Sequence, residues 1–265
     1  MSKVLVVTTS MGTRWESWSQ ALLRLLVPEW QRVIVDGRTN WSPTGFVGSV
    51  IQVDCDYVVH VDEDCFVRSR SGLLSLIAHL DSHPDVVAAG VPDGGHYYRE
   101  KNPAALNLFF VVFRAQALRS AWSERDLWDR YEFESRWRQD VLTQRPELDN
   151  ARIDWNETEP YYALYWALLK RRGRFLYLEN SLDKHRWSTR VLSPLGEVVA
   201  EHLWYLRRWF TSDAMPGHDR ANRQRYLDVR AELARENRTS PAFWFILGRM
   251  HFERLVRRVG GRARG

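Results

Sequence analysis

Four short apolar runs rich in β-branched residues alternate, in the first third of the chain, with stretches that carry apolar residues at helical spacing. The apolar runs cover residues 3–9, 32–35, 57–61 and 86–91. The helical patterns cover residues 15–26 and 73–80, and a proline follows each of them. Strands that alternate with helices predict an α/β fold, with a mostly parallel central sheet flanked by helices.

Polar residues stand where three of these strands end. They are Thr8, Thr9 and Ser10 in the first strand and loop, Asp36 after the second strand, and Asp62, Glu63 and Asp64 after the third. In parallel α/β sheets, ligands bind beyond the carboxyl ends of the strands. These side chains are therefore expected to line one crevice.

The rest of the chain is less regular. Strands are predicted at residues 108–113 and 174–178, and helices at 114–136 and 161–170. After Pro194 the pattern changes to basic and aromatic helices that continue to the glycines near the end. We predict one domain over residues 1–200 and a helical, basic C-terminal extension over residues 201–265 that packs on it.

Positive charge is concentrated in the last quarter of the chain. The formal net charge is +5, and residues 201–265 carry 14 arginines against 7 acids, or +7, so the first 200 residues carry −2. A basic segment favours an anionic partner, such as a nucleotide sugar, an anionic membrane surface or nucleic acid. Only four of the 38 basic residues are lysines, and an arginine-rich genome would produce this preference for arginine without a partner.

The sequence shows no run of about 18 apolar residues, which excludes a membrane-spanning helix of the usual kind. The apolar stretch after Lys3 is too short for a secretory signal, and Cys55 and Cys65 form no zinc-type pattern. These features predict a reduced, cytoplasmic protein.

Asp62 and Asp64 form the sharpest motif, because two carboxylates separated by one residue on a turn can point into the same crevice. A hard divalent cation such as Mn²⁺ or Mg²⁺ takes oxygen ligands and often bridges protein carboxylates to the phosphates of a substrate. Many acidic turns are merely solvated. The position of this one at the end of a strand in an α/β chain favours metal binding.

The sequence around this motif resembles the nucleotide-sugar-dependent glycosyltransferases of the GT-A fold, especially family 2. Residues 56–64 are similar to the Asp-x-Asp strand of those enzymes, and residues 32–37 to their second strand. Further similar segments, in the same order along the chain, are residues 8–10, 107–118 and 157–178. The resemblance extends over about residues 3–205, and the order of its motifs supports it more than any one of them.

The resemblance implies a GT-A-like fold with a donor half at about 1–100 and an acceptor half at about 101–200. It implies transfer of a sugar from a nucleotide-diphosphate sugar to a hydroxyl acceptor, which is a glycan, a lipid-linked molecule or a small molecule. The donor-binding residues would be Thr8, Thr9, Ser10, Asp36, Asp62, Glu63 and Asp64. Asn107 would lie near the acceptor.

The chain departs from the family pattern where the catalytic base is expected. Tyr161 and Tyr162 occupy the positions of an acidic pair, and acids occur a few residues earlier. We take Glu159 as the candidate base, ahead of Glu157 and Asp154. The choice between inverting and retaining chemistry stays open, with inversion favoured.

Enzymes of this fold often place a histidine late in the chain as a further metal ligand, and the resemblance suggests His202 for this role. His218 and His185 are the competing candidates. Aromatic rings stack on sugars, so Trp155 and Trp204, beside the candidate acids and His202, are predicted to contact the acceptor.

The segment from Pro241 onward predicts a basic amphipathic helix, which either lies on an anionic membrane or docks on the domain. Two other functions compete with the glycosyltransferase. One is a non-enzymatic module that binds nucleic acid or membrane through its arginines. The other is a sugar nucleotidyltransferase, which usually needs a glycine-rich phosphate loop that Met11-Gly12-Thr13-Arg14 resembles poorly.

Overall fold

The structure is a computed structural model of the 265-residue chain. The residues that it describes are 2–39, 43–94, 100–122, 132–149, 153–156, 158–184, 187–204, 206 and 219–262. Glu157, His185 and His218 lie outside these ranges.

Two sheets organise the described residues. The strands are β1 Val4–Ser10, β2 Gln31–Asp36, β3 Tyr57–Asp62, β4 Cys65–Val67, β5 Val86–Pro92, β6 Leu106–Arg114, β7 Arg174–Tyr177, β8 Asn180–Asp183, β9 Ser188–Leu192 and β10 Val198–Leu203. The first sheet has the order β2-β1-β3-β6-β5-β7, and β6 alone runs antiparallel to the other described strands in it. The predicted mostly parallel α/β sheet is confirmed.

Helices cover both faces of this sheet. They are α1 Arg14–Leu26, α2 Pro43–Val50, α3 Arg70–Ser82, α4 Ala115–Ala121, α5 Ser135–Gln144, α6 Tyr162–Lys170, α7 Asp219–Glu236 and α8 Pro241–Arg262. Side chains alternate along a strand, so Val7 and Val58 pack toward α2, α4 and α6, whereas Val6 and Val59 pack toward α1 and α3. Burial on both faces explains why the central strands are continuous apolar runs.

The second sheet, ordered β4-β10-β9-β8, is antiparallel and corrects part of the prediction. Helices were expected directly after Pro194, but β10 follows there and pairs with both β4 and β9. Its Val199 and Ala200 are buried against α3, so tertiary packing selects a strand. The proposed division between residues 200 and 201 falls inside β10.

The prediction of a single helix over residues 114–136 is also wrong. Helix α4 ends at Ala121, because Trp122 takes an extended backbone with φ −69° and ψ 100°. The next described helix, α5, begins at Ser135, and residues 123–131 lie outside the described ranges.

The C-terminal extension is helical, as predicted, in α7 and α8. Helix α8 packs on α1 through the buried side chains of Phe243 and Leu247, which are one helical turn apart. The ring of Phe243 lies 5.8 Å from that of Trp18 in α1. In the described part of the chain, no helix is both long and apolar enough to cross a membrane.

Candidate functional site

The carboxyl ends of β1, β2 and β3 lie level with one another. Ser10 stands opposite Asp36, and Thr9 stands opposite Asp62, in two parallel pairings. The chain leaves each strand at the same height, since the amide of Gly37 donates to Ser10 O at 2.8 Å and that of Glu63 donates to Thr9 O at 3.3 Å. The three polar strand ends therefore form one edge, as the sequence predicted.

Asp62, Asp64 and His202 meet at this edge. One carboxylate oxygen from each aspartate and one ring nitrogen of His202 all lie within 4.8 Å of one another. Asp64 and His202 are buried, whereas Asp62 is partly exposed. The Nε2 atom of His202 lies 3.5 Å from Oδ1 of Asp64.

Strand pairing in the second sheet places His202 beside the aspartates. Asp64 directly precedes β4, and β10 runs antiparallel to β4 with His202 opposite Cys65. The amide of Leu203 donates to the carbonyl of Asp64 at 3.1 Å, which fixes the register at this point. The short strand β4 thus connects the acidic turn to a residue far along the chain.

Two aromatic rings fix the plane of the His202 imidazole. Phe109 stacks on it at 4.3 Å with the planes 5° apart, and Trp204 meets it edge-on at 4.5 Å. Neither nitrogen of this buried ring has a hydrogen-bond partner among the described residues. A buried polar group without a partner is costly, and a ligand at the cluster would remove that cost.

The chemistry of this donor set fits a divalent cation. Carboxylates are the usual protein ligands of Mg²⁺ and Mn²⁺, and imidazole is a common ligand of transition metals. Two carboxylates and one imidazole leave room for oxygen atoms of a substrate. We name Asp62, Asp64 and His202 the acidic–histidine cluster.

Glu63 points away from the cluster and is fully buried. The Ser10 hydroxyl lies 2.8 Å from its Oε2 atom and 2.6 Å from Oε2 of Glu16, and the amide of Thr13 donates to Glu63 at 3.2 Å. Arg257 of α8 forms an ion pair with Glu16. These contacts hold the loop between β1 and α1. Binding of the nucleotide sugar by Ser10 or Glu63 stays a prediction.

The other predicted donor residues make local contacts. Thr8 is buried and accepts a hydrogen bond from Gln20 at 2.7 Å, while Thr9 Oγ1 lies 2.8 Å from His60 Nε2. Asp36 accepts from Arg38 at 2.8 and 2.6 Å, and this hydrogen bonding lowers the pKa of the Asp36 carboxyl. Asp36 is the more accessible of these side chains, and its nucleoside contact stays a prediction.

The predicted acceptor residues are buried. Asn107 bonds to Asp93, Trp155 is 8% exposed and stacks on Phe133, and Trp204 is 4% exposed and donates to Thr189 at 2.7 Å. Neither indole offers a ring face to solvent in this structure. Contacts of these three residues with an acceptor stay predictions.

Glu159 is partly exposed and lies near a lysine, with its Oε1 atom 3.4 Å from Nζ of Lys101. Both residues belong to the acceptor half of the predicted domain. Its role as base stays a prediction, as does that of Glu157, which lies outside the described residues.

Sequence reasoning missed Asp93, which directly follows β5. This carboxylate is fully buried and accepts hydrogen bonds at 2.6 Å from the hydroxyls of both Tyr161 and Tyr162, and another from Asn107. The two tyrosines stand at the positions where the resemblance to family 2 implies an acidic pair. The signal was present, because Pro92-Asp93-Gly94 is a polar strand end like the other three.

Comparisons with known proteins find similarity at the level of structure. No family model and no curated protein matches the chain. A crystal structure of A197 from STIV is 13% identical, with 74% of this chain and 93% of that one covered and a TM-score of 0.37.

Two further structures are glycosyltransferases. The galactosyltransferase LgtC, in complex with donor and acceptor sugar analogues, is 12% identical, with 83% of this chain and 94% of that one covered and a TM-score of 0.40. Mouse xyloside xylosyltransferase 1 is 11% identical, with 67% and 85% covered and a TM-score of 0.32. The fold class stated above is established by the strand order of this structure and does not depend on these similarities.

Proposed function

We propose that the chain is a glycosyltransferase that moves a sugar from a nucleotide-diphosphate sugar to a hydroxyl acceptor, with a divalent cation held by the acidic–histidine cluster. The observation that supports this most is the meeting of Asp62, Asp64 and His202 at the carboxyl edge of the parallel sheet. A ligand crevice is expected at that edge in such sheets.

The members of the cluster differ in their exposure to solvent, and this difference indicates a separate role for Asp62. Asp64 and His202 are buried, whereas Asp62 is partly exposed and would be the member of the cluster nearest to the substrate. When bound, Mn²⁺ or Mg²⁺ would neutralise charge on the diphosphate and so make it a better leaving group.

The donor would lie over the level strand ends in residues 1–100, with Asp36 near the nucleoside. Thr8, Thr9, Ser10 and Glu63 would shape the loop beneath it through the contacts described above.

The acceptor would bind in residues 101–200. Glu159 is the proposed general base, because a carboxylate can remove the proton from an attacking hydroxyl. Its Oε1 atom lies 3.4 Å from Nζ of Lys101, which would hold the carboxylate in place beside the acceptor. Glu157 is the alternative base, and Asn107, Trp155 and Trp204 are the proposed acceptor residues. We favour inversion and a cytoplasmic location.

A thermal-shift assay with Mn²⁺ or Mg²⁺ and a panel of nucleoside diphosphates tests the proposal. The wild-type melting temperature should rise only when cation and nucleotide are both present. Asp64→Asn should abolish the rise, whereas Asp54→Asn should keep it, because Asp54 is exposed and precedes β3, at the opposite end of that strand from Asp62.

A donor screen gives the second measurement. The chain is incubated with nucleotide sugars and Mn²⁺, and slow release of free sugar is followed. Release that Asp64→Asn removes supports the transferase. A wild type that neither hydrolyses a donor nor gains stability with any nucleotide contradicts it.

A further inference from the structure

A cavity of about 490 Å³ opens between α1, α7 and α8, outside the acidic–histidine cluster. Its basic lining residues are Arg14, Arg230, His251 and Arg254, and its aromatic walls are Trp18 and Trp244. None of the described side chains that line it is acidic. We name it the C-terminal cavity.

The arginines of this cavity lie close enough to His251 to change its pKa. Burial lowers the pKa of the His251 imidazole, and the charges of Arg254, Arg14 and Arg230 lower it further. Within the described residues, neither Arg14 nor Arg230 forms an ion pair or a side-chain hydrogen bond. Arg254 is 6% exposed and donates to Gly12 O at 3.3 Å. The cavity therefore concentrates positive charge and favours an anion.

An exposed apolar stripe runs along α8 beside the cavity. Phe245, Phe252 and Val256 are 75%, 68% and 54% exposed, and their spacing of seven and four residues puts them on one face of the helix. Leu255 is 51% exposed and lies between this stripe and the cavity, which it also lines. Large apolar side chains grouped in water mark an interaction surface.

We propose that the C-terminal cavity binds the phosphate group of an anionic lipid, while the stripe on α8 enters the interfacial layer of a membrane. Forked arginine side chains suit phosphate oxygens. An amphipathic helix lies in the membrane plane with apolar residues buried at the boundary between headgroups and chains. An anionic lipid in a membrane would neutralise the charge of the cavity, and the same membrane would bury the adjoining stripe. A free phosphate or a nucleic acid would leave the stripe in water. The proposal does not depend on the transferase activity.

Co-sedimentation of the full chain with vesicles tests this proposal. We expect about tenfold stronger binding to vesicles of phosphatidylcholine and phosphatidylglycerol than to phosphatidylcholine alone. Arg230→Gln should weaken binding to the mixed vesicles about fivefold. Its matched control is Arg235→Gln, an exposed arginine on the same helix that does not line the cavity.

The apolar half of the surface has its own variant. Phe252→Ser should weaken vesicle binding by at least about tenfold, since a phenylalanine side chain is removed from the interface. Leu195→Ser, at a residue that is 73% exposed in the turn before β10, should bind as the wild type does. All four side chains are exposed, and unchanged thermal midpoints will show that the fold is kept.

Three results would overturn the proposal. Equal loss in Arg230→Gln and Arg235→Gln would mean that only net charge matters. Stabilisation by inorganic phosphate that Arg230→Gln removes, without vesicle binding, would identify a site for free phosphate instead. Binding to single-stranded DNA in place of vesicles would make the surface a nucleic-acid interface.

Discussion

The Nε2 atom of His202 lies 3.5 Å from Oδ1 of Asp64, although the two residues come from distant parts of the chain. Both side chains are buried, and antiparallel pairing of β4 with β10 sets them side by side. The imidazole is held between Phe109 and Trp204, so its plane is set before any ligand arrives. A side chain that is already held in one orientation reduces the ordering that ligand binding would require.

This arrangement predicts that the His202 side chain contributes to metal binding and lowers the free energy of unfolding of the metal-free protein. His202→Phe should remove Mn²⁺-dependent stabilisation, yet raise the free energy of unfolding without metal by about 1 kcal/mol, because it replaces buried nitrogens that make no hydrogen bond within the described residues with apolar atoms. Urea unfolding with Mn²⁺ and with a chelator measures both effects. His79→Phe, on the helix α3 surface, is the control, and it should keep the response to Mn²⁺. A His202→Phe protein that loses several kcal/mol without metal would mark the imidazole as a structural residue.

Ser10 predicts a second effect, because its hydroxyl lies between the buried carboxylates of Glu16 and Glu63. Ser10→Ala removes the single O–H donor that the two carboxylates share, together with the acceptor of the Gly12 amide, and should cost about 1–3 kcal/mol of unfolding free energy. Ser82→Ala removes an exposed hydroxyl that bonds to the carbonyls of residues 78 and 79 and to the neighbouring His83 ring, and it should stay within about 0.5 kcal/mol of the wild type. Equal losses in the two variants would contradict a bridging role for Ser10.

Helix α6 offers a matched pair of tyrosines for testing the buried Asp93 carboxylate. Tyr162→Phe removes a donor to a charged acceptor and should cost about 1.5–3 kcal/mol. Tyr165→Phe, one turn along the same helix, should be neutral or stabilising, since its buried hydroxyl has no hydrogen-bond partner in the described part of the chain. Chemical denaturation of both variants decides the point, and a Tyr162→Phe protein as stable as the wild type would refute the interpretation.

The fold class could be predicted because its signals are local. The runs that form β1, β2, β3 and β5 are apolar, β-branched and bounded by polar strand ends, and the structure has them within one or two residues of the predicted bounds. The second sheet lacked such signals. Strand β4 has three residues, and β10 becomes a strand through its pairing with β4 and β9.

The candidate site, too, could be predicted only in the part that has a local sequence signal. Asp62 and Asp64 follow a strand and were found from that pattern, whereas His202 was suggested by resemblance and reaches them through tertiary pairing. Asp93 was missed because its donors, Tyr161 and Tyr162, are distant in sequence and read as a departure from the family. No pattern along the chain encodes a contact between such distant residues.

The C-terminal cavity makes a prediction about pH. Burial and the charges of Arg254, Arg14 and Arg230 lower the pKa of His251 in the folded chain, so near its ordinary pKa of about 6.5 the unfolded state binds the proton more readily. Lowering the pH through about 6.5 should therefore destabilise the wild type relative to His251→Gln, by less than about 1.4 kcal/mol per pH unit, until the folded pKa is passed. Because no described side chain that lines the cavity is acidic, its remaining charged groups are arginines that stay protonated throughout. Urea unfolding of both proteins between pH 8 and pH 5 measures the difference, and a difference that is flat, or that favours the wild type as the pH falls, would show that the pKa of this ring is not lowered in the folded chain.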